Sequence, residues 1–156
     1  SGCIGITLAL ETNLSHIDLI DNADLALSNI NKNINFFNCN NIVTSYYCDI
    51  LNEIPTKTYD VIVSNPPYIA FNQISSLEFS VQHYDPQNAL TDNNDGLTFY
   101  KRIHYIADYI LNDHGVIMME FGLSAQVDQI KDIFKSYKAT IYNDLNGDPR
   151  VIELAK

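Results

Sequence analysis

YDVIVSNPPYI, residues 59–69, sets a run of Val and Ile against an abrupt stop. Such a run predicts a buried strand that ends at Ser64 or Asn65. Pro66 and Pro67 each lack a backbone N–H and fix their own φ, and each holds the residue before it in an extended conformation. Residues 65–68 are therefore expected to be stiff and rich in acceptors. Such a corner can hold a planar –NH2 group, because the Asn65 side-chain oxygen and the Pro66 carbonyl can each accept one of its hydrogens. Tyr68 would then be a wall beside it. The plainer reading is that the prolines only end the strand and Asn65 only caps a turn.

The first reading has a chemical consequence. An amide or exocyclic amine has a delocalised lone pair and is a poor nucleophile until it is held and oriented. When such a nitrogen attacks a methyl group, positive charge grows on it, and fixed carbonyl dipoles stabilise that charge. The methylated nitrogen is acidic and sheds its proton afterwards, so no early base is required. This makes Asn65, Pro66 and Tyr68 candidate catalytic residues, and Asn65, Pro66, Pro67 and Tyr68 the candidate substrate contacts.

Upstream, SGCIGITLALE (1–11) reads as the end of a glycine loop passing into a helix, with Gly2 and Gly5 permitting close backbone approach. A helix laid on a sheet normally follows a strand, and none precedes Ser1, so the chain is expected to begin inside a motif. Residues 16–20 alternate like a strand, with Asp21 at its carboxyl end. A helix over 23–37 follows, its stripe made of Ala26, Ile30, Ile34 and Phe37. An acidic residue ending the second strand of an open α/β sheet commonly accepts hydrogen bonds from ribose hydroxyls; the alternative is a helix N-cap. Asn40 and Asn41 mark a turn, 42–47 a third strand, and Asp49 again lies just past a strand end. Asp49 can accept from an adenine amino group while Ile50 and Leu51 cover the ring, or it can be a simple loop residue.

Downstream, residues 70–94 are polar and without clear period, a long loop of the kind that shapes a pocket. A helix is expected over 97–111, with Phe99, Ile103, Ile106, Ala107 and Ile110 on one face. Residues 112–115 close it, and VIMMEFG (116–122) forms a fifth strand with Glu120 near its end, either facing the site or solvated. Val127, Ile130, Ile133 and Phe134 mark the last helix. Residues 138–142 and 151–154 pair around the turn DLNGDPR, where Arg150 reads as structural. Strand and helix alternate along the chain, which specifies an α/β fold: a three-layer, mostly parallel sheet with an antiparallel closing strand.

Composition narrows the partners. The chain has 156 residues, one domain's worth, and 46% are hydrophobic, including 10 Tyr and 7 Phe, enough for a core. With 19 acidic against 9 basic residues the net charge is -10, which argues against direct binding of an extended nucleic acid, since that rests on Lys and Arg. Cys3, Cys39 and Cys48 have no CxxC spacing and the four histidines no ligand spacing, so no metal and no disulfide framework is expected. The cysteines read as small hydrophobes in a reducing cytoplasm, the histidines as surface or satisfied side chains. The longest apolar run, 116–119, is far too short for a membrane span, so no membrane is expected.

These residues resemble the class I S-adenosylmethionine-dependent methyltransferases, and within them the HemK/PrmC protein-(glutamine-N5) methyltransferases that modify the GGQ glutamine of peptide chain release factors. SGCIGITLA is similar to the tail of the family's glycine-rich motif, IDLIDNADLAL to its second strand and VIVSNPPYI to its fourth strand and catalytic tetrapeptide. YDPQNALTDNNDGLTFYKRI, MMEFG and DLNGDPRVI resemble its later segments, and the first of these favours glutamine over a nucleobase. The resemblance implies a Rossmann-like sheet and S-adenosylmethionine as cofactor. It implies Asn65 and Pro66 as acceptors for the glutamine amide, with Tyr68 packed against it. It also implies cofactor contacts from Ser1, Gly2, Asp21, Asp49, Ile50 and Asn65. Two positions depart from the family: Asp85 stands where it usually has Glu, and Ile50 where it often has an aromatic. The first strand and the family's N-terminal helical domain are absent, so 1–156 is expected to be the catalytic domain of a longer polypeptide. The alternatives are an amino-methyltransferase of adenine or guanine and a non-catalytic module of the same fold.

Overall fold

The computed structural model describes residues 1–122 and 124–156. The chain resolves into two units, Ser1–Pro55 and Thr56–Lys156. In the first, α1 (Cys3–Glu11) precedes β1 (Ile17–Asp21), α2 (Asp24–Phe36) and β2 (Val43–Tyr47). The two strands run parallel, with Ile17 opposite Val43 and Asp21 opposite Tyr47. Gly2 caps α1 at a φ of 75°. A Cβ on Gly5 would overlap the Leu19 side chain, which is why the start of α1 can lie so close to β1.

The core of this unit is Ile6, Ala9, Ile30, Ile34, Cys39 and Val43, with Leu27 packed against it. Each buried Ile is worth about 1.5–3 kcal/mol. The expected helical stripe is therefore present at Ile30 and Ile34, but Phe37 is exposed. The helix stops before Phe37 can continue it. Asn38 takes a left-handed φ of 54° and Cys39 N–H donates to the Ile34 carbonyl, a closing turn that carries Phe37 off the buried face.

The second unit contains β3 (Tyr59–Ser64), a 3₁₀ turn (Phe71–Ser76), α3 (Phe79–Tyr84), α4 (Gln87–Leu90) and α5 (Thr98–Ile110). Then come β4 (Leu111–Glu120), α6 (Gln126–Ile133), β5 (Lys138–Asn143) and β6 (Pro149–Ala155). The sheet order is β3-β4-β6-β5, with β3 parallel to β4 and β6 antiparallel to both neighbours. Ile117 pairs with Leu154 and Met119 with Ile152. All four are fully buried, so the period-two pattern of β4 meets that of β6 on one face. Against that core stand Ile103, Ile106, Ala107 and Ile110 of α5 and Ile130 and Phe134 at α6.

The α/β reading with an antiparallel closing strand holds, its strands forming two ladders, β1-β2 and β3-β4-β6-β5. Three expectations change. Among the described residues β3 pairs with β4 alone, and Val61 and Val63 are 47% and 41% exposed rather than buried. The segment 70–94 holds three short helical turns, too brief to show a period in sequence. Finally, β4 starts at Leu111 rather than Val116, because Leu111 pairs with Tyr59 before residues 112–115 swing out, with His114 left-handed at a φ of 65°.

Candidate functional site

The Asn65 corner follows β3 directly. Asn65 is exposed, and its side chain makes no hydrogen bond to another described residue, so its amide oxygen is open to an incoming donor. Pro66 is buried, Pro67 and Tyr68 half-buried. Neither proline can donate to a ladder, and among the described residues the corner's hydrogen-bonded anchors begin at Tyr68. The Tyr68 hydroxyl donates to Glu120 Oε1 at 3.1 Å, the Tyr68 carbonyl accepts from Gln126 Nε2 at 2.9 Å, and Ile69 N–H donates to the Leu90 carbonyl at 3.0 Å.

Two glycines fit around Tyr68. A Cβ on Gly122 would come within 2.5 Å of the ring, and one on Gly96 would overlap the Tyr68 carbonyl. Gly96, at a φ of 79°, is itself held in a cage around Asp92. Asp92 Oδ1 accepts from the amides of Asn94 and Gly96, and Oδ2 accepts from that of Thr98, all at 2.9 Å. On the other side, Arg150 donates to the carbonyls of Phe121 and Gly122 and to Asp144 Oδ2. Arg150 is thus structural, as its place in the turn suggested. Glu120 faces Tyr68 and accepts from its hydroxyl. Tyr100, missed in favour of half-buried Phe99, is wholly buried and donates to the Glu120 carbonyl at 2.7 Å.

The electrostatics keep the corner a set of acceptors beside a neutral wall. Burial, then the charge and hydrogen bond of Glu120, push the Tyr68 phenol above its ordinary value, while Arg150 pulls weakly the other way. Burial likewise raises Tyr100, with Tyr68 and Glu120 adding to it. Both remain protonated donors at neutral pH, so neither serves as a base.

Asp92 behaves in the opposite sense. Burial works to raise its carboxyl, but the hydrogen bonds from Thr98, Asn94 and Gly96 outweigh it and hold it below its ordinary value. A depressed folded pKa contributes stability that is present above the unfolded value, about 3.9, and lost as pH falls through the folded one. Protection of the Gly96 and Thr98 amides from hydrogen exchange is therefore expected to drop below about pH 4, and Asp92→Asn to abolish that dependence. Protection factors that stay flat down to pH 2.5 would refute the cage.

In the first unit, Asp21 ends β1 and is half-buried; its Oδ1 accepts from Ala23 N–H at 3.0 Å. It supports the entry to α2 without being its N-cap, which is Ala23, and Oδ2 makes no hydrogen bond to another described residue. Asp49 is more occupied: Oδ1 accepts from Leu51 N–H and Oδ2 from Asn52 Nδ2 at 2.7 Å, so the loop reading describes part of its work. Ile50 beside it is half-buried. Ser1 accepts from Asn33 through its carbonyl, at the glycine turn into α1. Among the described residues no group of three or more His, Cys, Asp or Glu could hold a metal ion, and no helix is long and apolar enough to cross a membrane.

Residues 1–82 match the model of the methyltransferase small domain. The chain is 34% identical to the release factor glutamine methyltransferase of Bacillus subtilis over 157 residues, which cover 97% of this chain and 54% of that protein. It is 38% identical to the release factor glutamine methyltransferase of Fusobacterium nucleatum over 160 residues, 97% of this chain and 44% of that one. It spans about half the length of the curated relatives it matches. Among solved structures, a methyltransferase from Pyrococcus furiosus superposes with a TM-score of 0.72 at 17% identity, covering 100% of this chain and 70% of that one. At that identity the likeness speaks for the α/β methyltransferase fold alone.

Proposed function

This chain belongs to the methyltransferase small-domain family, and from that premise we propose that it transfers a methyl group from S-adenosylmethionine to the side-chain amide nitrogen of the GGQ glutamine of a peptide chain release factor. In this reading residues 1–156 serve one catalytic domain, acting in the cytoplasm. The observation that carries it is the Asn65 corner: an exposed, uncommitted amide oxygen beside a stiff proline pair, with Tyr68 fastened behind.

The residues present fit the cofactor. Asp21 keeps one carboxylate oxygen for a ribose hydroxyl, Gly2 supplies the left-handed turn into α1, and Ile50 with Asp49 stands past β2 for the adenine. In this reading Ser1 and Asn65 are the remaining candidate contacts. S-adenosylmethionine supplies an electrophilic methyl when bound. The chain's own part is positional. The Asn65 oxygen and the Pro66 carbonyl each accept one amide hydrogen, which stops the –NH2 from rotating and points its lone pair away from the corner. As charge grows on the nitrogen the same two dipoles stabilise it, and the surplus proton then leaves to water.

The test uses the protein as the cell makes it, with methyl-labelled cofactor and a release factor as acceptor. Label on the GGQ glutamine, absent when that residue is replaced, is the expected result. Label on RNA or DNA instead would overturn the assignment. A second prediction concerns the ribose: Asp21→Ala should weaken cofactor binding by about 1.5–3 kcal/mol, the worth of a charge-assisted hydrogen bond. Asp21→Asn, which preserves the turn to Ala23, separates loss of charge from loss of the turn. An unchanged calorimetric affinity in the alanine variant would contradict the ribose role.

A further inference from the structure

Gln126 is the first residue of α6, 8% exposed and one of the few polar side chains in the core. A buried amide costs stability unless both its ends are satisfied. Here they are: Nε2 donates to the Tyr68 carbonyl at 2.9 Å and Oε1 accepts from Gly122 N–H at 3.2 Å. The two atoms it joins lie on different segments, one in the corner after β3 and one just past β4. The same two residues are also close through the ring, since a Cβ on Gly122 would come within 2.5 Å of the Tyr68 side chain.

Residues 66 and 67 have no N–H to donate, and among the described residues the first side-chain hydrogen bond to the backbone after Asn65 falls on the Tyr68 carbonyl. We infer that Gln126 is a positioning residue for methyl transfer: its amide fixes the Tyr68 carbonyl against Gly122, and so sets the direction in which the Asn65 and Pro66 oxygens point. This rests on the reading of Asn65 and Pro66 as amide acceptors. Gln126 does not touch the reacting atoms. It acts through Tyr68, whose ring is held separately by Glu120, with Arg150 the nearby cation. Two independent anchors, one on the ring and one on the carbonyl, leave Tyr68 no free rotation about its own backbone, and the prolines pass that restraint back to Asn65.

Gln126→Glu tests the donor alone. The carboxylate has the same size and still accepts from Gly122 N–H, but it meets the Tyr68 carbonyl with an acceptor. At pH 8 kcat for the methyl acceptor is expected to fall about 10- to 30-fold, with cofactor affinity within twofold. The introduced carboxyl, buried and facing a carbonyl, titrates above the ordinary Glu value. As pH drops to 6 it protonates, donates to Tyr68 again, and the ratio of variant to wild-type kcat should recover most of the loss. A purely structural residue would show no such recovery. Gln126→Asn, one methylene shorter, should lose activity at every pH, and it replaces the first variant should that one not fold.

A ratio that is flat with pH, or a kcat within twofold of wild type at pH 8, would overturn the inference. The ratio is read on whichever acceptor the enzyme methylates, so transfer to nucleic acid would sink the glutamine reading and leave this one standing. Should no acceptor be labelled, 3-fluorotyrosine at position 68 decides. Its ¹⁹F line should be single in the otherwise wild-type chain, split or broadened by Gln126→Glu at pH 8, and restored at pH 6; an identical line in both chains at both pH values would refute the anchor.

Discussion

Asn65→Ala is expected to lower turnover by on the order of 10²- to 10³-fold, the loss seen when one oriented polar group is removed from a transition-state site. The side chain is exposed and makes no hydrogen bond to another described residue, so nothing in the fold depends on it. Thermal unfolding of the variant should match wild type within about a degree. The combination is diagnostic, because loss of activity without loss of stability places Asn65 in the chemistry. The Pro66 carbonyl remains, so the amide would still be held by one hydrogen but free to rotate about it. A variant within threefold of wild type would remove Asn65 from the mechanism, and a matching loss of stability would make it a structural residue.

Gly96→Ala should be the most destabilising single substitution around the site. At a φ of 79° an L-residue pays roughly 1–2 kcal/mol for the left-handed conformation. The added Cβ would also overlap the Tyr68 carbonyl, and a forced shift of backbone in a packed site costs about 1–3 kcal/mol. Together these give about 2–5 kcal/mol in a denaturant titration, with activity lost as Tyr68 moves. Gly147→Ala supplies the control: its φ is 89°, yet a Cβ there meets nothing within 4 Å, so only the conformational cost applies. Equal losses in the two variants would show that the Gly96 contact with Tyr68 contributes nothing.

Much of this was legible in the sequence because the chemistry is local. Proline acts on its own residue and the one before, so the stop at Asn65 could be read from four letters. The apolar spacing of α5 and α6 likewise reports a face directly, and the turn at DLNGDPR needs only its own Asp, Gly and Pro. What stayed hidden depends on distance along the chain. Glu120 and Gln126 reach Tyr68 across 52 and 58 residues, and no periodicity marks a polar contact of that kind. The Asp92 cage had a faint local signal in DNNDG, where an Asp followed by Asn, Asp and Gly favours side-chain-to-amide turns. The exposure of β3 could not be read from VIVS, since the same apolar run suits an edge or a central strand until its neighbours are known.

The neighbours of β6 also bear on how the sheet assembles. Strands β5 and β6 meet across a gap of 6 positions, Asn143 to Pro149, whereas β3 and β4 meet across 55, Val61 to Val116. Loop-closure entropy grows with the logarithm of that separation, which favours the short closure by about 2 kcal/mol. The hairpin can therefore close early and offer β6 to β4, while β3 joins β4 across the longer separation. The strand that carries the Asn65 corner therefore pairs through the costlier of the two closures.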